Sequence, residues 1–246
     1  MKSIAIIPAR LASTRLPRKV LIDICGKPLI QHVWDRVSNT NNIDQVIIAT
    51  DSPEVIQVVT KWGGKCLLTD PACQSGTERI ASILGELDAD FVLNVQGDEP
   101  LVEPGMLEAL VASWKSSPCD LITPVHRITN IDDLSNPNVV KVAKAHDGRA
   151  LYFSRSPIPY VRDYPIEKWL EHQAFWGHIG VYGYRKEVLA KFAGLPASPL
   201  QLAENLEQLR FLEAGYSFQT VETTYHSVSV DTQEDLEKVR RIICQK

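Results

Sequence analysis

Four cations and two hydroxyls crowd the first loop of this chain. Arg10, Ser13, Thr14, Arg15, Arg18 and Lys19 follow an apolar run, Ile4–Ile7, with very little acid among them. Arginine presents a planar fork matched to phosphate oxygens, and lysine a movable point charge. Residue types in this pattern suit a polyphosphate. The position suits it too, because ligands of open α/β sheets bind in the crevice beyond the carboxyl ends of the strands. Neither G-x-x-x-x-G-K-[ST] nor G-x-G-x-x-G occurs, which disfavours a kinase-type P-loop and a dinucleotide fingerprint.

A second set of groups is acidic. Asn94-Val-Gln96-Gly97-Asp98-Glu99-Pro100 follows the apolar run Phe91–Val95, so Asp98 also stands at a strand's carboxyl end. A carboxylate there can hold Mg²⁺ while substrate phosphates and waters complete the octahedron. Gly97 permits a close backbone approach or a positive φ. The same residues also spell an ordinary tight turn. The cationic loop tips the balance toward metal, since polyphosphate chemistry requires a divalent ion. Asp231 ends Ser227-Val-Ser-Val-Asp231 just before a helical pattern. It could cap that helix, or Thr232 with Asp235 could do so and free Asp231 for a metal. Gln74-Ser75-Gly76-Thr77-Glu78-Arg79 opens another helix, either as plain capping or as a source of amides for a base or phosphate. Asp51, at a further strand end, is a weaker candidate for the same crevice. His178 and Tyr182 alternate along one expected strand and so share a face. With Arg155 they could read an acidic, hydroxyl-rich substrate.

The elements that must position these groups follow from periodicity. Strands are expected at Ile4–Pro8, Gln45–Ala49, Lys65–Leu68, Phe91–Val95, Leu121–His126, Val139–Ala143 and Trp176–Tyr184. Helices are expected at Leu29–Val37, Pro53–Lys61, Thr77–Leu87, Pro104–Lys115, Leu200–Ala214 and Thr232–Ile243. Strand–helix alternation argues for parallel pairing with helices on both faces. The proline-rich, aromatic stretch at about 150–185 reads as an insertion on one core domain. A chain of 246 residues is long enough to bury a sizeable core. Its net charge of −4 excludes the chain as a whole as an electrostatic partner for nucleic acid. No apolar run approaches the ~20 residues of a membrane span. The start, Met1-Lys2-Ser3, runs straight into a strand without a cleavage pattern, and the five cysteines are scattered with no C-x-x-C pair. These features set the expectation of a cytoplasmic protein with neither a disulfide framework nor a zinc site.

Taken in order, Ile6-Ile-Pro-Ala-Arg10, Ala12-Ser-Thr-Arg-Leu-Pro17, Gln74–Arg79, Asn94–Pro100, Ala150-Leu-Tyr-Phe-Ser-Arg155, His178–Tyr184, Leu206-Glu-Gln-Leu-Arg210 and Val230-Asp231 closely resemble the 3-deoxy-manno-octulosonate (Kdo) cytidylyltransferases, the CMP-Kdo synthetase family. The resemblance spans nearly the whole chain. It implies an α/β fold: a single Rossmann-like, three-layer nucleotidyltransferase domain with a mostly parallel mixed sheet, in a homodimer. It implies transfer of CMP from CTP to Kdo, with Mg²⁺ and release of pyrophosphate. Carried over by position, Arg10, Ser13, Arg15 and Lys19 match the triphosphate loop, and Gln74, Ser75, Gly76 and Thr77 the segment near cytidine. Asp98 and Asp231 match the metal aspartates. Gln96, Arg155, His178, Tyr182 and Glu207 match positions around the sugar acid. Lys19, Arg15, Asp98 and Asp231 are the expected catalytic set. Two positions depart from the family pattern: Arg18 stands where a small glycine is common, and Tyr225–Ser229 lacks the usual glycines. Both bear on the acceptor, for which a related sugar acid such as an amino-substituted Kdo or a sialic acid is the alternative.

Overall fold

The computed structural model describes residues 1–13 and 15–245, so the Thr14 hydroxyl lies outside the described residues. The first strand, β1 (Ser3–Ala9), shows why this chain builds layers. Ala5, Ile7 and Ala9 point into one apolar core while Ile4 and Ile6 point into another. A strand with both faces buried needs cover on both sides. After a short hairpin, β2 (Asp23–Ile24) and β3 (Lys27–Pro28), that cover begins with α1 (Leu29–Ser38), which buries Leu29, Ile30, Val33 and Val37. Next come β4 (Gln45–Thr50), α2 (Pro53–Thr60), β5 (Lys65–Leu68), α3 (Gly76–Ser82), β6 (Phe91–Asn94) and α4 (Pro104–Ser116). Helix starts are marked locally: Pro53 and Pro104 hold first-turn positions, and the Ser52 hydroxyl accepts from the Val55 amide at 3.4 Å.

The chain continues through β7 (Leu121–Arg127), α5 (Ile131–Ser135), β8 (Lys141–Lys144), β9 (Arg149–Ser154), α6 (Trp169–His172), β10 (Trp176–His178), β11 (Tyr182–Arg185), α7 (Lys186–Ala190), α8 (Pro199–Glu204), α9 (Gln208–Glu213), β12 (Phe218–Thr223) and α10 (Gln233–Cys244). Ten strands form one mixed sheet in the order β10-β8-β9-β12-β7-β11-β6-β1-β4-β5. The half running β6-β1-β4-β5 is parallel, and the rest is antiparallel apart from β12 on β7. Because β1 and β6 are parallel neighbours, the loops after Ala9 and after Asn94 emerge side by side at the carboxyl ends of these strands. Strands β9, β10 and β11, from the stretch read as an insertion, belong to this same sheet. No described helix is long and apolar enough to cross a membrane.

Four expectations are corrected. The helix expected over Thr77–Leu87 ends at Ser82, and a separate 3₁₀ turn, Leu84–Glu86, follows it. The stretch 176–184 is two strands broken at Ile179-Gly-Val181, both lying along one edge of β7. Opposite the break is Pro124, which has no N–H to donate to that edge. Its carbonyl accepts from Ile179, and the Thr123 hydroxyl donates to the Val181 carbonyl at 2.8 Å. The helix expected over 200–214 is likewise two, because Asn205 turns left-handed (φ 52°) between α8 and α9. Cys25 and Cys244 are joined as a disulfide, with Cα atoms 5.8 Å apart, tying the β2–β3 hairpin to the end of α10. Cys66, Cys73 and Cys119 are free.

Gly97 is a packing requirement. Its φ is not positive, but a Cβ there would meet the Pro8 carbonyl oxygen at 2.7 Å and Ile30 at 3.2 Å. The turn carrying Asp98 can therefore lie flat on β1 only without a side chain. Gly97→Ala is expected to lower unfolding free energy by about 1–3 kcal/mol, measured by chemical denaturation, through overpacking against backbone that cannot give way.

Candidate active site

Beyond the carboxyl ends of β1 and β6 a cavity of about 350 Å³ opens. Its walls bring together ten residues from distant parts of the sequence reading: Arg10, Ser13, Arg15 and Lys19 from the first loop, Gln74, Ser75 and Gly76 at the start of α3, Gln96 and Asp98 after β6, and Asp231 before α10. Lys19 lies in a short 3₁₀ turn, and its Nζ donates to Asp98 Oδ2 at 2.8 Å and Asp231 Oδ1 at 2.9 Å. Arg15 approaches the other Asp231 oxygen at 3.2 Å. Burial works against the Lys19 ammonium, but the two carboxylates outweigh it and hold its pKa above the ordinary lysine value.

Asp231 is free for this role because Thr232 caps α10. Its side chain accepts from the Asp235 amide while Asp235 reaches back to the Thr232 amide, a reciprocal capping box. The backbone brings Asp98 and Asp231 together as well, through Val230 N–H donating to the Asp98 carbonyl at 2.9 Å. Both carboxylates reach one ammonium, so one cation can be shared between them. Among the described residues no cluster of three histidine, cysteine or acidic side chains forms a metal cage. Two carboxylates without nitrogen or sulfur donors fit Mg²⁺, which takes one or two carboxylates and completes its octahedron with substrate phosphates and waters.

A second cavity of about 290 Å³ shares the Gly76 and Gln96 walls with the first. Thr77, Asn94, Tyr182, Asn205, Leu206, Glu207 and Gln208 complete it. Thr77 thus faces this cavity and not the first. The Tyr182 hydroxyl donates to Gln208 Oε1 at 3.2 Å, and the buried Gln208 Nε2 has no partner among the described residues. Burial raises the Glu207 pKa, against hydrogen bonds from Ser75 and Thr77.

Two expected residues stand outside both cavities. Arg155 spends its donors on backbone carbonyls: Nε on Glu204 at 2.6 Å, with Pro137 and Asn205 taking the others. It therefore ties the start of the 150–185 stretch to the α8–α9 junction. His178 bonds the Thr123 hydroxyl at 2.9 Å, and burial and His126 push its pKa down to about 3. The shared-face argument for His178 and Tyr182 assumed one strand. They lie on two, yet their rings remain 5.2 Å apart because both strands follow β7. Arg18 adopts a left-handed conformation (φ 57°), where glycine is easiest, and ion-pairs with Glu54 on α2 instead of facing either cavity.

The structure also adds residues. Arg79, nearly fully buried, lines the first cavity while paired with Asp51 at 2.9 Å and bonded to Thr69. Asp51 therefore reaches the crevice only through Arg79. Arg79 closes the Gln74–Arg79 motif and Asn94 opens Asn94–Pro100, so both carried a motif signal without an assigned role. Gln208 gave none beyond its neighbour Glu207. Glu99 is buried beside Asp98, and burial, against a Ser227 hydrogen bond, lifts its pKa from 4.5 to about 7.

The cytidylyltransferase family pattern matches residues 4–242. The chain is 45% identical to a 3-deoxy-manno-octulosonate cytidylyltransferase of Geobacter metallireducens, over 97% of this chain and 96% of that protein. It is 44% identical to one from Myxococcus xanthus, over 98% and 96%. A solved CMP:2-keto-3-deoxy-manno-octonic acid synthetase, complexed with CTP, superposes with a TM-score of 0.94 at 40% identity, covering 100% of this chain and 99% of that one.

Because a raised carboxyl pKa stabilises the fold below the unfolded value and loses that contribution as pH rises through the folded value, Glu99 should weaken the protein between about pH 4.5 and 7. Glu99→Gln keeps the shape and removes the charge. Thermal unfolding at pH 8 should show the variant more stable by up to about 3 kcal/mol, with no advantage at pH 4.

Proposed function

The chain belongs to the 3-deoxy-manno-octulosonate cytidylyltransferase family, and from that premise we propose that it transfers CMP from CTP to the anomeric hydroxyl of Kdo, releasing pyrophosphate and giving CMP-Kdo. One observation carries this reading onto the geometry. A cationic cavity holding a carboxylate pair meets, across Gly76 and Gln96, a neutral-to-acidic cavity rich in amides and hydroxyls. A triphosphate fits the first and a polyhydroxylated acceptor the second, with the reacting atoms where the cavities join.

Arg10, Ser13, Arg15 and Lys19 bind and orient the triphosphate. The Gln74–Thr77 segment lies beside the nucleoside. Tyr182, Gln96, Gln208 and Glu207 read acceptor hydroxyls, the unpartnered Gln208 Nε2 offering a donor. Arg155 and His178 act behind this wall, Arg155 by fixing the junction before Glu207 and His178 by packing on Tyr182. The acceptor hydroxyl attacks the α-phosphorus in line with departing pyrophosphate, a reaction that depends on positioning and charge stabilisation. Asp98 and Asp231 would hold Mg²⁺, which when bound makes a weakly acidic hydroxyl a better nucleophile and offsets phosphate charge. Lys19 and Arg15 stabilise charge on the leaving group. A nucleoside triphosphate substrate supports a cytoplasmic enzyme, for which a homodimer feeding lipopolysaccharide assembly completes the proposal.

The test is pyrophosphate release from CTP and Mg²⁺ with Kdo, an amino-substituted Kdo and a sialic acid. Kdo should give the highest kcat/KM, and no turnover with Kdo would sink the assignment. Asp98→Asn should fold normally by circular dichroism and lose about 10²–10³ in kcat.

A further inference from the structure

Lys19 stands where a shared cation would stand. Its ammonium contacts both carboxylates at ordinary ion-pair distances and, at 13% exposure, is the most buried member of the group. Arg15 takes the remaining Asp231 oxygen that faces the cavity. The four charges, Asp98 and Asp231 against Lys19 and Arg15, balance without any added ion. A divalent ion bound by the same carboxylates at about 2.0–2.1 Å would overlap the ammonium. Two cations cannot share that point, and their mutual repulsion at contact distance is large in a partly buried site.

We infer that Lys19 is an internal counter-ion that occupies the divalent-cation position until a nucleoside triphosphate draws its ammonium onto phosphate oxygens. This rests on the reading of Asp98 and Asp231 as the metal-holding pair. The exchange has a physical rationale. Lys19 sits on a flexible four-carbon stem in the same loop as Arg10 and Ser13, so a short swing of the side chain carries it from carboxylates to phosphates. The triphosphate supplies the anions that take Lys19 and Arg15, which frees both carboxylates at the moment that phosphate oxygens arrive to complete the metal's octahedron. Metal and nucleotide therefore favour one another, and by linkage each raises the other's affinity by the same factor. The free protein keeps its carboxylates paired and takes up divalent ions poorly.

The test uses Mn²⁺ alone, without nucleotide, read by loss of the aqueous Mn²⁺ paramagnetic resonance signal and by thermal shift. Lys19→Met, which keeps the stem and removes the charge, should bind Mn²⁺ at least about tenfold more tightly than the wild type. Mn²⁺ should also raise its Tm more than it raises that of the wild type. Lys19→Arg should behave like the wild type. Equal affinity of wild type and Lys19→Met, whether both are weak or both tight, overturns the inference. A gain in Lys19→Met that vanishes in Lys19→Met/Asp98→Asn supports it. A gain that survives that double variant places the ion elsewhere and overturns the metal-pair reading itself. Circular dichroism shows whether each variant is folded, and Mn²⁺-dependent stabilisation of Lys19→Met supports the inference even where that variant is unstable alone.

Discussion

Two carboxylates, one after the sixth of twelve strands and one after the last, converge on a single ammonium from the first loop. This ion triad is the constraint around which the site is organised. Lys19 follows β1, Asp98 follows β6, and Asp231 precedes α10. Bringing like charges together is unfavourable unless a cation is held between them. The fold solves this with parallel pairing of β1 and β6, a glycine at 97 that lets the second loop lie on the first strand, and a backbone bond from Val230 to Asp98. Each of these is a local device, and each would be pointless without the others. Two of the three arginines that line this cavity are restrained by their partners, Arg15 on Asp231 and Arg79 on Asp51.

The second cavity is built on a different principle. Nothing on its walls is cationic; its chemistry comes from amides, hydroxyls and the partly buried carboxylate of Glu207. Such groups are costly to bury unpaired, so an unpartnered Gln208 Nε2 in this wall suits a place that a hydroxylated ligand completes. Tyr184 and Phe211 pack in series behind Tyr182. The left-handed turn at Asn205 presents Glu207 and Gln208 to the cavity, because one uninterrupted helix would not re-aim the chain there.

Much of this was legible from residue order. The strands β1, β4, β5, β6 and β7, and the helices α1, α2, α4 and α10, fall within a residue or two of their periodicity. Long apolar alternation and clear caps leave little choice there. What periodicity could not show was interruption. A proline on β7 breaks its neighbour at 179–181, and Asn205 breaks a helix whose apolar spacing runs straight through. The six-residue strands β9 and β12 were missed because their place depends on partners and not on an apolar run of their own. The Cys25–Cys244 pair was missed because cysteines 219 residues apart carry no spacing signal.

The sequence by itself determined the reaction class. The cationic loop, the G-D-E-P turn and the last aspartate are short segments whose chemistry depends on residue type, and their order along the chain is specific enough to name a family. Only the tertiary structure decided who touches whom. It put Thr77 in the wall of the second cavity, turned Arg155 onto backbone carbonyls, set His178 behind Tyr182, and seated Lys19 between the carboxylates. Those outcomes rest on distances between side chains that lie far apart in sequence. Such distances are fixed by sheet order and packing, which no single segment encodes.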